Sequence, residues 1–126
     1  RDAKGNNPLC GDNVQIYLKL NDKTKVEDIS FEGNGCAITM ASASIMTDLV
    51  RGKEEKEVKE IVTDFLDMIK EKDELSTELL NEDEKTKLMC LSGVKQYPMR
   101  VKCATLSWHT LTSAMNNSQE IASTED

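Results

Sequence analysis

The stretch Asn7-Pro8-Leu9-Cys10-Gly11-Asp12 sets a thiol and a carboxylate two residues apart with only a glycine between them. Proline restricts φ and glycine frees it, so the backbone there can turn sharply and aim both side chains at one point. A thiolate and a carboxylate make half of a metal site, and the other half has to come from elsewhere. Three more cysteines are available, Cys36, Cys90 and Cys103. Dispersed cysteines carry no ligand spacing of the C-x-x-C kind, so spacing alone leaves open which of them converge on Cys10 and Asp12. Cys36 follows Gly33-Asn34-Gly35, where glycines on both sides of Asn34 suit a positive φ or a close approach of the backbone. It also falls where a strand or turn feeds a helix, and unpaired N–H groups there favour a thiolate over a thiol. Around Cys103, Arg100 and Lys102 place two cations beside a thiol read as lying off the buried face, which suits a multiply anionic site. Cys90, within Lys87-Leu88-Met89-Cys90-Leu91, is flanked by apolar residues and reads as core, since a free cysteine behaves as a small hydrophobe. His109 is the sole histidine. Six residues beyond Cys103, at about 100° per residue, it points to the far side of a helix, so no histidine-based acid/base or nucleophile relay can be built.

Positioning these groups needs a strand-then-helix order. Residues 1–7 are polar and rich in Gly and Asn, and read as a flexible entry. Val14, Ile16, Leu18 and Leu20 alternate with Gln15, Tyr17 and Lys19 as in a half-buried strand. Asn21-Asp22-Lys23 turns into a second strand over 26–31, where Val26 and Ile29 break the two-residue phase and mark a bulge in an antiparallel hairpin. Residues 37–50, rich in Ala and Ser, read as a tightly packed helix stopped by Gly52. Residues 53–72 carry an apolar stripe at helical spacing (Val58, Ile61, Val62, Phe65, Leu66, Ile69), with charges opposite. Residues 71–84 read as a connector to a short helix over 85–91. A last helix starts at Pro98 and runs to about Met115, burying Val101, Ala104, Trp108, Leu111 and Met115. The domain is expected to span 1–117, followed by a flexible acidic tail over 118–126.

A chain of 126 residues is of one-domain length, and buries roughly two-thirds of its unfolded surface without help from disulfides. Its 23 acidic residues against 16 basic give a formal net charge of −7, the wrong balance for a surface that displaces counterions from phosphates, so no nucleic-acid partner is expected. No apolar run approaches the roughly 20 residues needed to cross a bilayer, and no membrane association is expected. Four cysteines in an acidic chain suit a reducing compartment, the cytoplasm, better than a secreted disulfide scaffold. The sequence opens at Arg1, not at a methionine, and carries no information on a leader.

Four segments together resemble the NifU N-terminal/IscU-like family of iron-sulfur cluster assembly proteins. They are Asn7 to Asp12, Phe31-Glu32-Gly33-Asn34-Gly35-Cys36-Ala37-Ile38, Ala41-Ser42-Ala43-Ser44-Ile45-Met46, and Tyr97-Pro98-Met99-Arg100-Val101-Lys102-Cys103-Ala104-Thr105-Leu106-Ser107-Trp108. The resemblance is closer to the SufU branch: Lys102 stands where the IscU scaffolds carry a histidine before the third cysteine, and the 67–87 region is long enough for the extra SufU segment. The resemblance implies an α+β fold, a small antiparallel sheet of about three strands packed by helices on one face. Members usually begin with a helix before the Asn-Pro segment, and this sequence has none there. It further implies Cys10, Asp12, Cys36 and Cys103 as ligands of Zn(II), Cys10 as the sulfur acceptor and Arg100 and Lys102 as electrostatic support. The partners implied are a PLP-dependent cysteine desulfurase of the SufS type and downstream cluster-assembly proteins. The same ligands would also suit a transient [2Fe-2S] cluster on a scaffold, because thiolates serve iron as well as zinc. A zinc-stabilised interaction module without chemistry is the third reading, and it predicts unfolding when metal is removed.

Overall fold

The computed structural model describes residues 2–7, 11–70, 80–116 and 122–123. Strands β1 (Asp2–Asn7), β2 (Asp12–Leu20) and β3 (Val26–Asn34) form an antiparallel meander. They are followed by α1 (Ala37–Val50), α2 (Glu55–Lys70), α3 (Glu82–Met89), a 3-10 turn (Ser92–Gln96) and α4 (Pro98–Met115). A two-residue strand, β4 (Ala122–Ser123), adds a parallel edge to β1, giving the order β3-β2-β1-β4. The α+β class and the antiparallel sheet are as expected. The rest of 118–126 and all of 71–79 lie outside the described residues. No described helix is long and apolar enough to cross a membrane.

The β2–β3 hairpin follows its hydrophobic pattern, with Val14, Ile16, Leu18, Val26 and Ile29 all buried. Lys19 faces Asp28 while Leu20 faces Val26, so Glu27 is the extra residue of a bulge. That bulge lets residues three apart in β3 both face inward. The connecting turn is held by Asn21, whose Oδ1 accepts from the N–H groups of Lys23 (2.8 Å) and Lys25 (3.0 Å).

Residues 2–7 are a strand and not the flexible entry their composition suggests. A β2 partner supplies the ladder that weak strand propensity cannot, and Gly5 lets the strand lie flat on α4. A Cβ at Gly5 would come within 2.0 Å of Thr110 Oγ1. Helix α3 begins at Glu82, three residues earlier than its apolar residues indicate, because Asn81 and Glu84 form a reciprocal capping box. Cys90 is a second correction. It caps the C-terminus of α3 and is exposed, whereas Leu88 and Leu91 are buried. With Leu88 anchored inside, a residue two positions later has turned by about 200° and faces outward.

Helix α4 has the expected bounds but a wider buried surface than the one stripe expected. Besides Ala104, Trp108, Leu111 and Met115 it buries Cys103, Thr105, Leu106, Ser107, Thr110 and Ala114, because the sheet covers one side and α1 and α2 the other. Cys103 is therefore inside the protein, not off the buried face. Buried hydroxyls are tolerated because Thr105 and Thr110 donate to the carbonyls of Val101 (2.9 Å) and Leu106 (2.8 Å). At the centre, Trp108 stacks on Phe65 with ring centroids 4.2 Å apart. Its Nε1 donates to Ser42 Oγ (2.9 Å), which donates in turn to the Ala104 carbonyl (2.6 Å), tying α1 to α4.

Two buried serines are expected to behave in opposite ways. Ser42→Ala strands the Trp108 indole N–H and should cost about 1 to 3 kcal/mol of unfolding free energy, whereas Ser107→Ala removes a buried hydroxyl without a partner among the described residues and should be neutral or stabilising. Denaturant melts of the two variants check this. His109 gives a pH signature: burial first, and then the charge of Lys70, hold its pKa below the ordinary 6.5. The native state thus binds its proton later than the unfolded chain does, so this contribution is complete above 6.5 and is lost as pH falls through the interval below it. Melts of His109→Gln should lose that part of the pH dependence, with Lys59 of the same groove and Lys70 left in place.

Candidate metal centre

Three chain segments meet at one end of the sheet. Gly11 has a φ of +73°, the freedom expected of it, and leads directly into Asp12, the first residue of β2. On the neighbouring strand, Gly33 takes a φ of +145° where a Cβ would lie 2.2 Å from the Asn13 carbonyl oxygen, so the end of β3 closes tightly on β2. The chain then passes through Gly35 to Cys36, the N-cap of α1. A Cβ at Gly35 would stand 3.2 Å from Asp12 Cγ and 3.1 Å from the Thr39 side chain, so the glycine is the space through which these two residues meet.

Asp12 is buried and fully engaged: its Oδ1 accepts the Cys36 N–H (3.0 Å) and its Oδ2 accepts the Thr39 hydroxyl (2.6 Å). The same hydroxyl lies 3.5 Å from Cys36 Sγ. Cys103, buried in the second turn of α4, completes a group with Asp12 and Cys36 in which the potential ligand atoms lie within 4.8 Å of one another. Cys36 is the exposed member. Burial opposes the charge on Asp12, yet hydrogen bonds from Thr39, the Cys36 amide and the thiols of Cys103 and Cys36 hold its carboxyl below the usual range. Burial likewise opposes ionisation of Cys36, and it is outweighed by the Thr39 hydroxyl, the helix N-terminal amides of Thr39 and Ile38, and Cys103. The Cys36 thiol is thereby lowered, as its place before a helix led us to expect.

Two sulfurs and a carboxylate oxygen gathered at one point fit a divalent metal such as zinc, whose bonds run about 2.3 Å to sulfur and about 2.0 to 2.2 Å to oxygen. Cys10 lies outside the described residues, although Gly11 and Asp12 beside it are described. Arg100 is exposed and Lys102 half-buried at the start of α4. His109 stands apart from the group, lining a groove between α2 and α4 with Lys59, Leu66 and Thr112. Thr39 was not singled out from the sequence. A signal for it existed, since a hydroxyl at the third position of a helix reaches back toward the N-cap, here Cys36.

The NifU-like N-terminal domain pattern matches residues 2–104. The chain is 41% identical over 113 residues to the iron-sulfur cluster assembly scaffold protein IscU of Streptococcus pyogenes serotype M1, covering 90% of this chain and 67% of that protein. It is 43% identical over 106 residues to the zinc-dependent sulfurtransferase SufU of Bacillus subtilis, covering 84% of this chain and 68% of that protein. Among solved structures, a SUF-system cluster assembly scaffold protein from Fervidobacterium islandicum superposes with a TM-score of 0.76 at 36% identity, over 91% of this chain and 79% of that one. The N-terminal region of a NifU-like protein from Brucella abortus gives 0.77 at 25% identity, over 92% and 76%. A sheet end closed by two glycines on a carboxylate and two cysteines, under a pattern that spans most of the sequence, places this chain in the NifU-like N-terminal domain family of iron-sulfur cluster assembly proteins.

Proposed function

We propose that this chain is a zinc-dependent sulfur acceptor that takes persulfide sulfur from a PLP-dependent cysteine desulfurase of the SufS type and passes it to downstream cluster-assembly proteins. The observation that carries the reading is the union of Asp12, Cys36 and Cys103, with Asp12 and Cys36 both shifted toward their anions. Cys10 is taken as the fourth ligand from the family resemblance. Bound zinc would keep the thiols deprotonated and ordered. The carboxylate is a harder and more exchangeable corner than a fourth thiolate. Three thiolates and a carboxylate leave a charge of about −2 around a divalent ion, and Arg100 and Lys102 supply positive charge at the same end of α4 to offset it and to receive an anionic persulfide. In the transfer itself, the Cys10 thiolate attacks the outer sulfur of the desulfurase persulfide. A new S–S bond forms on Cys10, and the desulfurase cysteine leaves as a thiolate.

Support for zinc over iron comes from Lys102, which stands where the scaffold branch has a histidine, and from the likeness to a relative named as zinc-dependent. The second reading, a scaffold that carries a [2Fe-2S] cluster as cargo, is favoured by the similar identity to a protein named as a scaffold.

Anaerobically purified protein is expected to hold about one zinc per chain with no acid-labile sulfide and no colour, and to stimulate a cysteine desulfurase. Iron and sulfide in equal amounts with a brown colour would give first place to the scaffold. Cys10→Ala should abolish sulfur acceptance, as followed by labelled sulfur on the chain, and full acceptance would remove Cys10 from that role. Gly35→Ala, by crowding Asp12 and Thr39, should weaken zinc binding about tenfold in chelator competition.

A further inference from the structure

We infer that Thr39 is the positioning residue of the metal centre: its hydroxyl fixes Asp12 in the orientation that the metal requires. The inference rests on the reading of this site as a metal centre and adds a residue that is not itself a ligand. Thr39 is fully buried at the third position of α1. Threonines in α4 return their hydroxyls to the carbonyl four residues back, as Thr105, Thr110 and Thr112 do. Thr39 instead gives its hydrogen to a carboxylate 27 positions away, at 2.6 Å.

A hydroxyl has one hydrogen, and a carboxylate has two oxygens with about four lone-pair sites. Asp12 holds the Thr39 hydrogen on Oδ2 and the Cys36 N–H on Oδ1, so each oxygen is anchored by a donor from α1 or its N-cap. The carboxylate cannot swing without breaking one of these bonds inside a site where it is only 4% exposed. The cost of orienting the ligand is therefore met before a metal arrives, the role that outer hydrogen bonds play around metal ligands. The Thr39 oxygen also lies 3.5 Å from Cys36 Sγ, so one side chain registers the carboxylate against the neighbouring thiol. Gly35 leaves the space for this arrangement.

The test compares the parent chain with Thr39→Val, Thr39→Ser, Asp12→Ala and the Asp12→Ala/Thr39→Val double variant. The readouts are zinc affinity by chelator competition and the visible spectrum of the Co(II)-substituted protein, with circular dichroism as the check on folding. Thr39→Val is expected to lower zinc affinity about 10- to 100-fold and to shift the Co(II) bands, and Thr39→Ser to restore both. In the Asp12→Ala background, adding Thr39→Val should change affinity by less than about twofold, because no carboxylate is left to hold. Unchanged affinity and spectrum in Thr39→Val would overturn the role of Thr39, as would an equal loss with and without Asp12. Failure of the parent chain itself to take up either metal would instead remove the metal-centre reading, and this inference with it.

Discussion

The constraint on which the structure depends is that α4 runs through the protein with six consecutive residues, Cys103 to Trp108, all buried. A helix covered by a sheet on one side and by two helices on the other must settle its buried polar side chains inside the protein. It does so with threonines bonded back to their own helix and with the Ala104–Ser42–Trp108 relay that binds it to α1. The same burial draws Cys103 inward to the end of the sheet, where Asp12 and Cys36 wait. Core and candidate metal centre are one packing problem.

The site uses backbone as much as side chains. A strand start, a helix N-cap and a helix interior each deliver one group, and glycines at 11, 33 and 35 allow the three segments to approach. The α1 N-terminus supplies amides to the Cys36 sulfur and to Asp12, so the anions are stabilised by fixed dipoles more than by mobile cations. Among the three described residues of the candidate centre, Cys36 alone is exposed, so an incoming group meets sulfur before it meets the carboxylate.

Helices 37–50 and 98–115 could be read to the residue because Gly52 and Pro98 punctuate the chain and small or apolar residues fill the turns between. The bulge in β3 was legible in the phase slip between Val26 and Ile29. The grouping of Asp12 with Cys36 and Cys103 was legible through family likeness, not spacing, since cysteines 24 and 91 positions from Asp12 leave no local pattern. What escaped was set by tertiary contact. Strand β1 has the composition of a loop and is held by its neighbours. A single buried stripe on α4 predicts a solvent-facing Cys103, and apolar neighbours predict a buried Cys90, but packing on several sides buries the first and helix geometry turns the second outward. Thr39 is an ordinary helix residue until Asp12 is placed opposite it.

The bulge at Glu27 divides the hairpin into two mechanical zones. On one side lie the turn at 21–25 and its approach; on the other, an unbroken register runs from the Lys19–Asp28 pair to the Asn13–Asn34 pair beside the candidate metal centre. A residue gained or lost in the turn can be absorbed at the bulge, where the ladder is already irregular, without sliding Asn34 past Asn13. The loop at the far end can thus change in length and chemistry without disturbing the strand ends that hold Asp12 and Cys36 in place.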